Sequence, residues 1–201
     1  ASAYFRLAAA FGGRRVAPCL VVMSGLPATG KSTVAATLAG RVGAAYLSSD
    51  AIRKQLAGLD PRQRATDEFR SGLYSPEMTE RTYAEMRARA AAHLEAGRPV
   101  VLDAMHGRAA ERAAAVALGR EHGVPVLIAE LRLDDASARE RIEGRADDPL
   151  RTSDATWEVY ELQRERFEAI GEAEGAHLAV DASGAPAASA RAIAERLPTR
   201  T

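Results

Sequence analysis

Cysteine is nearly absent: Cys19 is the only one in 201 residues, which excludes an intrachain disulfide framework and a multi-cysteine zinc site. Set just before the apolar run Leu20 to Met23, it reads as a small core residue. Long hydrophobic runs are missing too. The longest, Ala17 to Met23 and Val124 to Ala129, fall far short of the roughly 20 residues that a membrane-spanning helix needs. No basic, long-apolar, cleavable leader is apparent, so the expectation is a soluble protein of the cytoplasm with no membrane partner. Net charge is also lacking, with 27 basic residues against 27 acidic ones. Polyanion binders usually carry a basic excess, because each neutralised phosphate adds to affinity. Nucleic acid is therefore disfavoured as the main partner, although a local basic groove stays open. No sustained period or internal repeat is present, which excludes collagen-like, coiled-coil and solenoid forms. Lysine is the last scarcity: Lys31 and Lys54 are the only two, all other basic residues being arginine, so a position that keeps lysine is informative.

What is there is a chain 47% hydrophobic and 27% charged, enough apolar content for one globular core. Ala1 to Phe11 has helical composition and is followed by the break Gly12-Gly13-Arg14-Arg15. It reads either as the tail of a preceding domain or as a processed start, which sets residues 1–17 apart from a domain over 18–201. Strands then alternate with helices, the pattern of a parallel sheet covered on both faces. Strands are expected at Leu20 to Ser24, Ala45 to Ser48, Pro99 to Asp103, Val124 to Leu133 and His177 to Asp181. Helices are expected at Lys31 to Arg41, Asp50 to Ala57, from Ser75-Pro76-Glu77 to Gly97, Ala109 to His122, Ala136 to Arg145, Asp154 to Glu174 (capped by Ser153) and within Pro186 to Leu197. Gly58 to Tyr74 is polar and irregular.

Gly25-Leu26-Pro27-Ala28-Thr29-Gly30-Lys31-Ser32 fits the phosphate-loop pattern, glycine, four residues, then Gly-Lys-Ser/Thr, between a strand and a helix. A triphosphate needs many donors around its oxygens with no side chain intruding. Gly25 and Gly30 permit that approach, and successive backbone N–H groups form a concave anion nest. The helix beginning near Lys31 adds the positive end of its dipole. Lys31 supplies a point charge for the β- and γ-phosphates, and Ser32 offers a hydroxyl to Mg²⁺, which prefers oxygen ligands. Nucleotide-binding residues are thus expected over Gly25 to Ser32 and Thr33, with ATP and Mg²⁺ as cofactors.

Beyond Gly30, a strand ends in Ser48-Ser49-Asp50-Ala51-Ile52-Arg53. Ligands of open parallel sheets bind beyond the carboxyl ends of strands, so Asp50 is expected in the same crevice as the phosphate loop. There it can take the proton of an attacking hydroxyl, with Arg53 one turn along; the bland alternatives are a helix cap and a solvated side chain.

The phosphate loop, Ser-Ser-Asp-Ala-Ile-Arg-Lys, Tyr74-Ser75-Pro76-Glu77 and Val100-Val101-Leu102-Asp103-Ala104 together resemble the P-loop kinases that include zeta toxins and polynucleotide 5′-hydroxyl kinases. The likeness runs in order over Leu20 to Asp181 and is strongest to the ATP-binding domain that follows an aminoglycoside-phosphotransferase-like domain in bifunctional bacterial proteins. It implies a three-layer α/β P-loop NTPase fold, a parallel five-stranded sheet with helices on both faces and a small helical lid near 134–152. It further implies Asp50 as general base, Arg53 as the acceptor-orienting arginine and Asp103 as a Walker B-type acid near Mg²⁺. Arg141 and Arg145, four apart on one helix face, match lid arginines that close over ATP; Arg139 and Arg151 are weaker candidates. Met105-His106 departs from the pattern of many relatives, so His106 is expected to be structural. The activity implied is transfer of the ATP γ-phosphate to a hydroxyl, a small-molecule acceptor being favoured over a polynucleotide 5′-hydroxyl. The rival is an ATP-binding module of a larger protein that transfers nothing.

Overall fold

The computed structural model of the chain describes residues 16–60, 73–144 and 156–200. The expected helix before Gly12, most of the segment between Gly58 and Tyr74, the Ser153 cap, Arg145 and Arg151 lie outside them.

Five strands make one parallel sheet: β1 (Leu20–Ser24), β2 (Ala45–Ser48), β3 (Val100–Asp103), β4 (Val126–Arg132) and β5 (His177–Asp181), in the spatial order β2-β3-β1-β4-β5. The helices are α1 (Lys31–Val42), α2 (Ser49–Leu56), α3 (Pro76–Glu95), α4 (Ala109–Glu121), α5 (Asp135–Glu143), α6 (Trp157–Glu165) and α7 (Pro186–Glu195). β1 and β3 read as continuous apolar runs up to Ser24 and Asp103 because both faces of the sheet are covered. Alternation along β1 sends Val21 and Met23 to the side of α1 and α7, with Val34, Leu38 and Ile193. It sends Leu20 and Val22 to the other side, with Ile52, Met86 and Leu94. Leu38, Met86 and Ile193 are fully buried, each side chain contributing about 1.5–3 kcal/mol of hydrophobic stabilisation.

Local signals set the helix ends. The Ser75 hydroxyl accepts from the Met78 N–H at the start of α3, and Pro76 occupies the first turn, where a missing N–H costs nothing. Gly97, at φ +66°, turns the chain away after α3.

One expectation fails. The helix read as Asp154 to Glu174 starts in the described residues at Trp157, where the Thr156 hydroxyl accepts from the Val159 N–H, and stops at Glu165. Its continuation is taken by tertiary bonds. The Glu168 N–H donates to the Gly107 carbonyl, the Glu168 carboxylate receives the Ala109 N–H, and Arg112 binds the Ala169 carbonyl and the Glu174 carboxylate. Only a single 3₁₀ turn at Glu172–Glu174 remains helical.

Candidate functional site

The register fixes what can meet. Met23, Asp103 and Ser48 are Cα partners across β1, β3 and β2, so three strands end in one row. The chain leaves each of them into the phosphate loop, the Met105–His106 turn and α2 respectively.

Gly25 opens the loop at φ +132°, and a Cβ there would stand 2.5 Å from the Leu131 carbonyl oxygen, so only glycine fits. Its N–H donates to the Met105 carbonyl at 3.2 Å. Ala28 and Gly30 also take left-handed backbone, at φ 63° and 78°. The Thr29 hydroxyl donates to the Leu26 carbonyl at 2.8 Å, and Lys31 Nζ donates to the same oxygen at 2.7 Å. The loop thus turns its carbonyl at Leu26 onto the lysine. Helix α1 begins with no side-chain cap and no acid in its first turn. Its leading N–H groups and positive dipole end therefore carry no internal anion, the condition under which they bind an external one.

Lys31 is partly buried with an enclosed ammonium, and that enclosure lowers its pKa to about 8 against the opposing charge of Asp103. Asp103 is 4% exposed and accepts the Tyr46 hydroxyl at 2.6 Å. Burial and that carboxylate push the Tyr46 hydroxyl pKa up, opposed by hydrogen bonding from the Ser48 and Ser32 hydroxyls. Asp103 caps none of the described helices; it holds the Tyr46 hydroxyl, and its charge acts on Lys31. Among the described residues no group of three or more His, Cys, Asp or Glu side chains converges to hold a metal. A cation held by Ser32 and Asp103 would need phosphate oxygens and water for its other ligands. This donor set, all oxygen and incomplete, fits Mg²⁺.

Asp50 lies in the first turn of α2 with its side chain 42% exposed. It is not the cap, because the Ser48 hydroxyl receives the Ala51 N–H. One carboxylate oxygen pairs with Lys54 Nζ at 2.8 Å. Arg53 is far from solvated: it is 8% exposed, donates to the Leu73 carbonyl and the Thr79 hydroxyl at 2.8 and 3.2 Å, and lies 5.1 Å from the Tyr74 ring centroid. Its hydrogen bonds tie α2 to the start of α3.

Arg141 of α5 reaches back across the loop, donating to the Ala28, Ala182 and Ser183 carbonyls. Beside it lies a cavity of about 150 Å³ lined by Thr29, Gly30, Thr33, Arg141, Ala182 and Pro186 among others. Arg139 instead pairs with Glu143 and lies over Trp157. Helices α5 and α6 share a small core in which Tyr160 stacks on Trp157 at 4.8 Å, and Asp135 binds both Tyr160 and Arg164. Leu26 and Ala28 of the phosphate loop pack against that core. His106 is structural, as expected: it is buried, its Nδ1 lies 2.7 Å from the Met23 carbonyl, and burial lowers its pKa to about 4.

Sequence reasoning missed Tyr46 and the turn after β5. The rule that strand carboxyl ends line the crevice points to Ala182; nothing local singles out Tyr46.

A family model described as AAA domain matches residues 20–170. Among curated proteins, uncharacterized proteins of Mycobacterium tuberculosis (H37Rv) and Mycobacterium bovis are 35% identical over 96 residues, 48% of this chain but only 19% of theirs. The chain therefore matches about a fifth of the length of these relatives. Solved structures with the same fold include a gluconokinase from Sinorhizobium meliloti (TM-score 0.59, 22% identity, 91% of this chain and 94% of that one). They also include Chaetomium thermophilum Kti12 in complex with ADP-AlF3 (0.65, 18%, 88% and 96%). A third is the Mycobacterium tuberculosis APS kinase in complex with AMPPNP and APS (0.60, 17%, 90% and 97%). The parallel five-stranded α/β architecture is the P-loop NTPase-like fold that these structures share.

Proposed function

Since the chain belongs to the AAA domain family, we propose that it is an ATP-dependent kinase that passes the γ-phosphate to the hydroxyl of a small acceptor. The observation that carries this reading is the shared row of strand ends. Lys31, Ser32 and Asp103 gather where β1 and β3 finish, and Asp50 follows two residues after Ser48, the in-register partner of Asp103. ATP phosphates would lie on the loop from Gly25 to Thr33, with the base in the cavity beside Arg141. Arg145 would join Arg141 in a lid. Mg²⁺, held by Ser32 and Asp103 together with water, would neutralise phosphate charge.

In the transfer, the acceptor oxygen bonds to the γ-phosphorus while the bond from that phosphorus to the bridging oxygen breaks and ADP leaves. The hydroxyl proton passes to the Asp50 carboxylate. Loose transition states of this kind need mainly positioning and charge stabilisation. Lys54 holds one Asp50 oxygen, leaving the other to face the acceptor. Arg53 acts here by fixing the α2–α3 junction that walls the acceptor side. The small-molecule reading rests on the balanced charge; a polynucleotide 5′-hydroxyl would call for a basic approach. The short match to much longer relatives supports a chain that serves as the ATP-binding part of a larger protein, with residues 1–17 as the join. The compartment proposed is the cytoplasm.

A second reading has its own support. Asp50 is paired with Lys54, and Arg53 is spent on Leu73 and Thr79. Two structural ion and hydrogen-bond sets of this kind suit a module that binds ATP and transfers nothing. Labelled ATP incubated with small alcohols, nucleosides and 5′-hydroxyl oligonucleotides separates the readings. Label on a small alcohol supports the first. ATP binding with label on none of them favours the module, and label on the oligonucleotide alone favours a polynucleotide kinase.

A further inference from the structure

Tyr46 is an odd use of an aromatic. It stands on β2, which among the described residues pairs with β3 alone and so forms an edge of the sheet. Its residue is 39% exposed, yet its hydroxyl reaches a carboxylate that is 4% exposed. Alternation explains the reach. Ala45 and Leu47 pack on the α3 side of the sheet, which leaves Tyr46 on the α1 side, where Asp103 also points by the same alternation with Val101. The tyrosine hydroxyl therefore lies on the α1 side of the sheet at the end of β3, hydrogen-bonded to Asp103.

We propose that Tyr46 is a positioning residue that presets the Asp103 carboxylate for Mg²⁺ and makes the site favour that ion over larger divalent cations. The inference rests on the proposal that Ser32 and Asp103 hold the metal. A 2.6 Å hydrogen bond from a neutral hydroxyl to a carboxylate is short and charge-assisted. It occupies Oδ2 of Asp103 and fixes the rotation of the carboxylate, so the other oxygen has one direction to face. Mg²⁺ demands near-ideal octahedral geometry and keeps its waters, whereas Ca²⁺ accepts a variable number of ligands in looser arrangements. Fixing one carboxylate in advance therefore favours the stricter ion. The bond has a second effect. Lys31 is the nearby cation whose charge Asp103 feels. A donor from Tyr46 satisfies part of that carboxylate and leaves Lys31 available to phosphate.

The test measures binding of a fluorescent ATP analogue against Mg²⁺, against Ca²⁺ and in excess chelator. In Tyr46→Phe, which removes only an oxygen from an edge-strand ring, the Mg²⁺ needed for half-maximal binding should rise about tenfold, the lower range for loss of a group that orients a metal ligand. The Ca²⁺ curve should move less. Affinity in chelator should stay within about twofold, which also reports an intact fold. Asp103→Asn should raise the Mg²⁺ requirement as well, and the double variant should add little to it, because Tyr46 acts through Asp103. An unchanged Mg²⁺ curve in Tyr46→Phe, with Asp103→Asn shifted, overturns the role of Tyr46 alone. Equal losses with and without metal overturn it too, since they mark a residue that shapes the loop. If Asp103→Asn leaves the Mg²⁺ curve where it was, the metal reading of Asp103 falls and Tyr46 with it.

Discussion

The phosphate-loop end of the crevice and its α2–α3 end are built from different material. At the phosphate end the working groups are backbone: three left-handed positions, an uncapped helix start and carbonyls folded inward, with Lys31 as the main charged side chain. At the α2–α3 end they are engaged side chains, Asp50 with Lys54, and Arg53 with Thr79, Tyr74 and the Leu73 carbonyl. A backbone nest is preorganised for one chemical group, because its donors cannot rotate away. Interlocked side chains can be re-paired by a small change in sequence, so this end can change while the loop stays constant.

That contrast can be broken most sharply at Lys31. Lys31→Ala should lower turnover by about 10³ while the melting temperature stays close to wild type, since the Thr29 hydroxyl still holds the Leu26 carbonyl and the Gly25 N–H still bonds Met105; steady-state kinetics and a thermal melt read both. Asp50→Asn comes next. Phosphoryl transfer should fall by about 10², the low end for a positioned base, with ATP affinity within a few fold by calorimetry. Equal activity of that variant and wild type, with an acceptor in hand, would leave Asp50 as one half of an ion pair. Arg141→Ala should weaken nucleotide binding about tenfold, roughly one charged hydrogen bond, without altering acceptor affinity. The smallest effect is one of pH. The Lys31 pKa lies near 8 in the free protein and rises when a phosphate is bound, so the complex holds more protons than the free protein above pH 8. Affinity should thus fall as pH rises, by about fourfold between pH 7 and pH 8.5, and Lys31→Met should abolish that slope.

The same contrast governs how much could be read from the chain. The order of strands and helices follows from local apolar patterning, and the phosphate loop from its glycines and lysine, because both are local properties. Arg53 reads as solvated or substrate-facing until α3 closes over it, and Leu73 and Thr79 are then its partners. Tyr46 sits in a four-residue strand as an ordinary β-forming aromatic; its bond to Asp103 exists only once β2 and β3 are in register. The overlong helix after Trp157 failed for a similar reason, since Arg112, fully buried, draws Glu174 and the Ala169 carbonyl to itself. Periodicity cannot register a competitor so distant in sequence.

The strand order has a consequence for how the protein is made. During synthesis β2 leaves the ribosome before β3, yet β3 is its partner among the described strands and lies between it and β1. The described partners of β1, which are β3 and β4, also come later, so β1 and β2 both stay unpaired through all of α2 and α3. Docking of Val100–Asp103 then zips β2 to β1 in one event. Lys31, Tyr46 and Asp103 come together at that moment, so the nascent protein has no ATP site until its third strand is in place.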